Sequence, residues 1–203
     1  MDDHNDNHNQ ADLDLNNLIV MCLNGNQASF AELYNHFASG MYRLCYSLLL
    51  NKQDAEDISQ EAFVYAFKNL SRFNADKASF KTWLYMIAVS RCRNTYRRKR
   101  LPQINLSQLF QLNVSAPRSE SPEANLARSV AEDQLLSALA TLKPQLREAV
   151  VLRYGHGLTY REISEVMNCP PKTAESRVRL AHDRLRGLLQ PIGHGLLEEI
   201  LSF

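Results

Sequence analysis

Apolar residues recur at three- and four-residue intervals from about Leu13 to Leu70 and, after a break, from Phe80 to about Tyr96. That spacing keeps one face of an α-helix against a core. No stretch alternates polar and apolar positions for long enough to make a strand. Between Leu101 and about Arg128 the periodicity fades, and Pro102, Pro117 and Pro122 stand among Ser, Asn and Gln, a linker composition. Helical spacing resumes at Ala131 and continues to about Leu189. The pattern predicts an all-α fold, two small helical domains joined by a flexible linker.

The second helical stretch has the clearest local grammar. A leucine-rich helix (Leu135, Leu136, Leu139, Leu142) reaches Pro144, and a second, Gln145 to Tyr154, stops at Gly155 and Gly157, where a left-handed residue ends a helix. Thr159 and Glu162 have capping-box spacing, so a short helix starts at Tyr160 and ends near Asn168, a residue type that tolerates positive φ. Pro170 and Pro171 fit the first turn of the next helix, where a missing N–H costs nothing. Two helices with a tight turn between them make the C-terminal domain a helix-turn-helix.

On its second helix Ala174, Val178, Ala181 and Leu185 share one stripe, so Lys172, Glu175, Ser176, Arg179 and Asp183 face outward. Such a row reaches base edges: Arg and Lys suit guanine, Ser bonds either way, and Glu accepts from cytosine. Arg177 on the flank, with Arg184 and Arg186 further along, suits phosphate.

Charge sharpens this picture. The net charge is only +1, yet the first 17 residues hold five Asp and no Lys or Arg, while Lys81–Arg100 holds seven basic residues and no acid. A solvated face usually mixes signs, whereas clustered Arg is the footprint of a polyanion whose counterions are released on binding. With 45% hydrophobic and 22% charged residues the chain is an ordinary folded protein, and no apolar run approaches the roughly 20 residues needed to cross a bilayer. The four cysteines (Cys22, Cys45, Cys92, Cys169) are far apart and form no CxxC pair, so buried thiols are expected, with no metal and no cofactor.

The stretch DAEDISQEAF puts Asp54, Asp57 and Glu61 one above another on a helix, a like-charge stripe that destabilises unless something offsets it. A helix N-terminus excuses Asp54 and Asp57 but not Glu61. Charge alone leaves a solvated face and a protein interface both open. A nuclease using these carboxylates around magnesium would need them to converge in a cleft, and they line one face of one helix.

DAEDISQEAF, then FKTWLYMIAVSRCRNTYRRKR, then the proline-dotted linker, then GLTYREISEVMNCPPKTAESRVRLAHDRL, resembles an extracytoplasmic-function sigma factor, a small bacterial promoter-recognition subunit of RNA polymerase. The resemblance covers about Gly25 to Leu189 in order and spacing. It implies a non-enzymatic protein of the cytoplasm, without membrane insertion, that binds core polymerase and promoter DNA, duplex and melted. An anti-sigma factor, which in some relatives is membrane-anchored, is the expected further partner.

The resemblance also implies an organisation: an acidic segment (1–24), a region 2-like domain (25–100), the linker (101–130), a region 4-like helix-turn-helix (131–190) and a tail (191–203). Asp54, Asp57, Gln60 and Glu61 would face the clamp helices of the largest polymerase subunit. The loop Ser71–Ser79, with Arg72, Phe73 and Asn74, would capture a flipped base of the minus-ten element. Arg91, Arg93, Asn94, Arg97, Arg98 and Arg100 would hold phosphates of the melted strand, with Tyr96 as the stacking residue. Trp83, Leu84, Ile87 and Ala88 form a core-facing stripe, so Trp83 is expected to pack inside.

In the second domain Lys172, Thr173, Glu175, Ser176, Arg177 and Arg179 would read the minus-thirty-five element. Ala174 and Glu175 depart from the valine and the basic residue common in relatives, so a different base preference is expected. A stand-alone helix-turn-helix regulator is the alternative; it normally pairs two half-sites through a dimer helix, and none is obvious here. The tail has a small apolar face (Ile192, Leu196, Leu197, Ile200, Leu201), expected to pack on the second domain.

Overall fold

Side-chain caps punctuate the first half of the chain. In a computed structural model that describes residues 14–100 and 134–189, helix α1 spans 14–23 and gives way at Gly25, whose φ of +85° is one that a side chain would disfavour. Asn26 then caps α2 (Gln27–Leu49), its side chain accepting from the N–H groups of Ala28 and Ser29. Asn51 caps α3 (Lys52–Lys68) through the Asp54 N–H at 2.9 Å. A 3-10 turn (Leu70–Arg72) and a short loop lead into α4 (Phe80–Arg100). The side chains of Lys99 and Arg100 lie outside the described residues, as do the linker, the acidic start and the C-terminal tail.

In the second half, α5 spans 134–141 and Pro144 opens α6 (Pro144–Val150). The predicted helix to Tyr154 does not stay regular: Val151–Gly155 is a π-helical turn, one residue wider than an α-turn. Gly157, at φ +67°, then turns the chain into α7 (Tyr160–Met167), and α8 (Pro171–Leu189) follows.

The stripes predicted from spacing are buried. Leu33, Met41, Leu44 and Leu48 of α2 are fully enclosed, as are Ala55, Ala62 and Ala66 of α3, and Leu84 and Ala88 of α4. Small residues along α3 let α2 and α4 approach it closely, while Trp83 is half-buried in an aromatic cluster with Phe73 and Phe80. Ala174, Val178, Ala181 and Leu185 of α8 pack on α6 and α7. Cys22, Cys45 and Cys92 are buried and Cys169 is half-buried, all as free thiols.

A tether between separate domains leaves their mutual contacts undetermined, and here the two helical groups are packed together. α4 lies against α7, and α2 meets α6 and the π-turn, so a single buried cluster runs through both halves.

Candidate nucleic-acid interface

The helix-turn-helix is built from local bonds. Thr159 caps α7 reciprocally with Glu162, whose carboxylate accepts from the Thr159 N–H at 2.8 Å. Asn168 ends α7 in the left-handed region at φ 49°, and the Cys169 N–H closes back onto the Ser164 carbonyl at 3.0 Å. Pro170 presents its carbonyl to the N–H groups of Thr173 and Ala174, which starts α8 with Pro171 in the first turn.

These bonds aim one face of α8 outward. Lys172, Glu175, Ser176 and Arg179 are exposed and Thr173 and Arg177 half-exposed. Lys172, Thr173, Ser176 and Arg177 line a shallow concavity with Leu180, an exposed apolar residue that polar-face reasoning had passed over and that suits contact with a base methyl group. Ser176 donates its hydroxyl to the Lys172 carbonyl at 2.8 Å, so in this rotamer its lone pairs point outward and it accepts rather than donates.

The basic end of α4 is more heterogeneous than its sequence. Arg97 and Arg98 are exposed, Arg97 donating to the Asn94 side chain. Arg91 stacks its guanidinium 4.3 Å from the Tyr65 ring centroid, which ties α4 to the exposed edge of α3. Arg93 is not free for phosphate: its Nη2 and Nε donate to the Glu148 carboxylate at 2.6 and 3.1 Å. That bond, with the Glu148 charge, holds the Arg93 guanidinium above its ordinary range, against burial acting the other way. Tyr96 is not an open stacking platform here either, because its half-buried ring packs on the core and its hydroxyl donates to the Leu48 carbonyl.

The loop after α3 presents Arg72 and Asn74 to solvent. Asn74 folds the loop by accepting from the Asp76 N–H at 2.8 Å. Phe73 does not present its ring: it is edge-on to Phe80 with centroids 5.4 Å apart, and so anchors the loop rather than offering a free face.

On α3, Asp57, Gln60 and Glu61 are exposed on one face, with Asp54 half-buried in the first turn and Gln53 donating to Asp57 at 3.3 Å. Val64 and Tyr65 are exposed large residues on the same helix, giving it apolar as well as acidic surface.

A further polar cluster, absent from the sequence reading, lies between the two halves. Lys81 donates to the His156 carbonyl at 2.7 Å, Thr82 to Glu162 at 3.3 Å, and the Tyr85 hydroxyl meets His156 Nδ1 at 3.1 Å. Gly40 leaves room for that hydroxyl, since a Cβ there would come within 3.2 Å of it. Burial pushes the Tyr85 phenol up to about 12 and, with the Lys81 and Arg43 charges, pushes the His156 imidazole down to about 3. Arg147 donates to the Leu48 carbonyl at 2.8 Å and the Leu142 carbonyl at 3.3 Å. The signal for this cluster was LREAVVL, residues 146–152, where two charges interrupt an otherwise apolar run and all seven residues are buried.

Comparison with known proteins gives two family matches in chain order: Sigma-70 region 2 over residues 33–101 and Sigma-70 region 4 over residues 132–185. The RNA polymerase sigma-H factor of Pseudomonas aeruginosa is 31% identical over 86% of this chain and 93% of its own. The ECF RNA polymerase sigma factor SigW of Bacillus subtilis is 29% identical over 83% of this chain and 92% of its own. Among solved structures, CnrH, in complex with the cytosolic domain of CnrY, is similar with a TM-score of 0.63 and 25% identity over 87% of this chain and 97% of that one. The fold is also that of the sigma factor RpoE of Bartonella quintana, with a TM-score of 0.65, 22% identity, and coverage of 81% of this chain and 98% of that one.

Proposed function

The chain belongs to the extracytoplasmic-function sigma factors, and on that premise we propose how its surfaces divide the work of starting transcription at chosen promoters. The carrying observation is that two basic surfaces and one acidic helix face occur on a single chain, in family order. A stand-alone regulator has no use for the acidic face.

The first domain (25–100) engages core polymerase and the minus-ten element; the second (131–190) reads the minus-thirty-five element. Asp54, Asp57, Gln60 and Glu61 meet basic residues of the polymerase clamp, with Val64 and Tyr65 adding apolar contact. Opposite charge across that contact steers encounter and offsets the stripe's self-repulsion. On α8, Lys172, Arg177 and Arg179 contact phosphate or guanine, and Thr173, Ser176 and Glu175 discriminate bases. Ser176, as an acceptor, favours an amino group of adenine or cytosine, and Glu175 favours cytosine or repels a misplaced phosphate.

Arg72 and Asn74, exposed on the loop after α3, are the residues that hold a flipped base in this reading, and Arg91, Asn94, Arg97, Arg98 and Arg100 hold the melted backbone beside it. Arg93 joins them only when the halves separate, while Tyr96 stays bonded to Leu48 within its own half. The protein supplies binding energy rather than bond chemistry, needs no cofactor, and works in the cytoplasm where the polymerase is. The sigma factor RpoE of Bartonella quintana was solved in complex with the anti-sigma factor NepR, and an anti-sigma factor is the partner proposed for this chain.

Run-off transcription with bacterial core polymerase on a library of host promoters tests this reading. Discrete start sites that share two spaced elements and appear only with the protein added are expected. Absence of transcripts, together with a shift of duplex DNA by the protein alone, would replace it with the stand-alone regulator.

A further inference from the structure

We infer that Glu148 acts as a built-in substitute for a DNA phosphate, holding the two halves in a closed state that must open before α4 can grip the melted strand. The inference rests on the proposed DNA-binding role of α4 and concerns its regulation.

Geometry is the first support. Arg93 belongs to the basic run 91–100 and turns two guanidinium nitrogens onto the Glu148 carboxylate, at 2.6 and 3.1 Å. This two-nitrogen approach is how a guanidinium meets phosphate oxygens. Glu148 arrives from α6, in the other half of the chain, with only 1% of its side chain exposed, while Arg93 keeps 35%. An anion already occupies the place of the strand.

Exclusivity is the second. If Arg93 turned to DNA while α6 stayed in place, Glu148 would be left buried and uncompensated, a costly state. Phosphate at Arg93 therefore requires α6 to lift from α4 and let water reach the carboxylate. The same movement withdraws Arg147, on α6, from the Leu48 carbonyl of α2. Closure thus withholds Arg93 from the minus-ten surface.

The third support is the character of the contact. It is fastened by polar bonds at both ends of α4: Arg93 at one, Lys81, Thr82 and Tyr85 at the other. Arg147 Nε is buried with no hydrogen-bond partner among the described residues. One buried cluster runs through both halves, and the polar bonds and unsatisfied donor added to it are marks of an inter-domain contact that can open.

A closed resting state lowers apparent affinity by the fraction of molecules that are open. Glu148→Gln in the full chain keeps the shape and removes the charge. It is expected to raise the radius of gyration in X-ray scattering. It is also expected to tighten binding of a mixed-sequence single-stranded 20-mer by roughly tenfold and lower the half-saturating concentration in run-off transcription by roughly fivefold, with the plateau unchanged. Arg93→Gln should open the molecule equally without gaining DNA affinity.

If Glu148→Gln fails to fold, Lys81→Glu, which sets a carboxylate toward Glu162 at the other end of the contact, carries the same three readouts. A folded Glu148→Gln protein with unchanged radius, single-strand affinity and half-saturation would overturn the inference. Should the wild type give no transcript with core polymerase, the sigma reading fails, while scattering and single-strand binding still decide the closed state.

Discussion

Replacing Glu162 by alanine strikes the helix-turn-helix and the contact between the halves at once. One carboxylate oxygen accepts from the Thr159 N–H and hydroxyl at 2.8 and 2.7 Å, and the other from the Thr82 hydroxyl at 3.3 Å. Losing the reciprocal half of a capping box costs about 1 kcal/mol. The Thr82 bond adds about 0.5 kcal/mol, kept small because Glu162 is partly solvated. The sum of about 1.5 kcal/mol corresponds to a fall in melting temperature of about 3–6 °C for a chain of this size.

Urea and thermal unfolding at pH 7 measure it, and a double-mutant cycle with Thr82→Val isolates the cross-half part at about 0.5 kcal/mol. Burial acts to raise the Glu162 carboxyl, but the Thr159 and Thr82 bonds and the Lys81 charge outweigh it and leave the carboxyl below its ordinary 4.5. A lowered folded value means the stabilisation is present above pH 4.5 and is lost as pH falls through the folded value. The gap between wild type and Glu162→Ala should therefore narrow below pH 4.5. A gap that stays constant down to pH 3, or one under about 0.3 kcal/mol at pH 7, would refute the account of the cap.

Reversing charge with Asp57→Lys and Glu61→Lys should abolish run-off transcripts while changing stability by less than about 0.5 kcal/mol, since both residues are exposed; urea unfolding serves as the control. Arg177→Ala should weaken binding of a forked promoter by the assembled holoenzyme and, if it contacts phosphate, lower the salt slope by about 1, measured by filter binding across salt concentrations. His156, held down to about 3, stays neutral in the folded protein, so falling pH protonates it only in the unfolded chain. Its contribution is complete above the free imidazole value of 6.5 and is lost between 6.5 and about 3; His156→Gln should flatten the wild-type stability profile in that window.

The sites read from sequence divide by the range of the forces that set them. The outward row of α8 follows from its buried stripe, because Ala174, Val178, Ala181 and Leu185 orient the helix and every other position follows by rotation. The acidic face of α3 is legible for the same reason. The basic end of α4 was legible as charge but not as geometry: nothing in RCRNTYRRKR tells Arg93, paired with Glu148, from Arg97 and Arg98, which remain exposed. Phe73 likewise reads as an exposed loop aromatic until Phe80 and Trp83 are brought beside it.

Sequence by itself determined what is settled within a few turns of backbone: the helical stretches, the cap at Thr159, the left-handed stop at Asn168 and the family's motifs in order. These depend on neighbours three or four residues apart, whose geometry the chain carries with it. Tertiary structure alone decided which charges are spent inside the molecule. Glu148 meets Arg93 across 55 residues and Arg147 meets Leu48 across 99, and partners so distant are chosen by how whole helices pack. A buried carboxylate in the largely apolar run 146–152 signals that some cation must reach it; only the packing of the two halves says that Arg93 does.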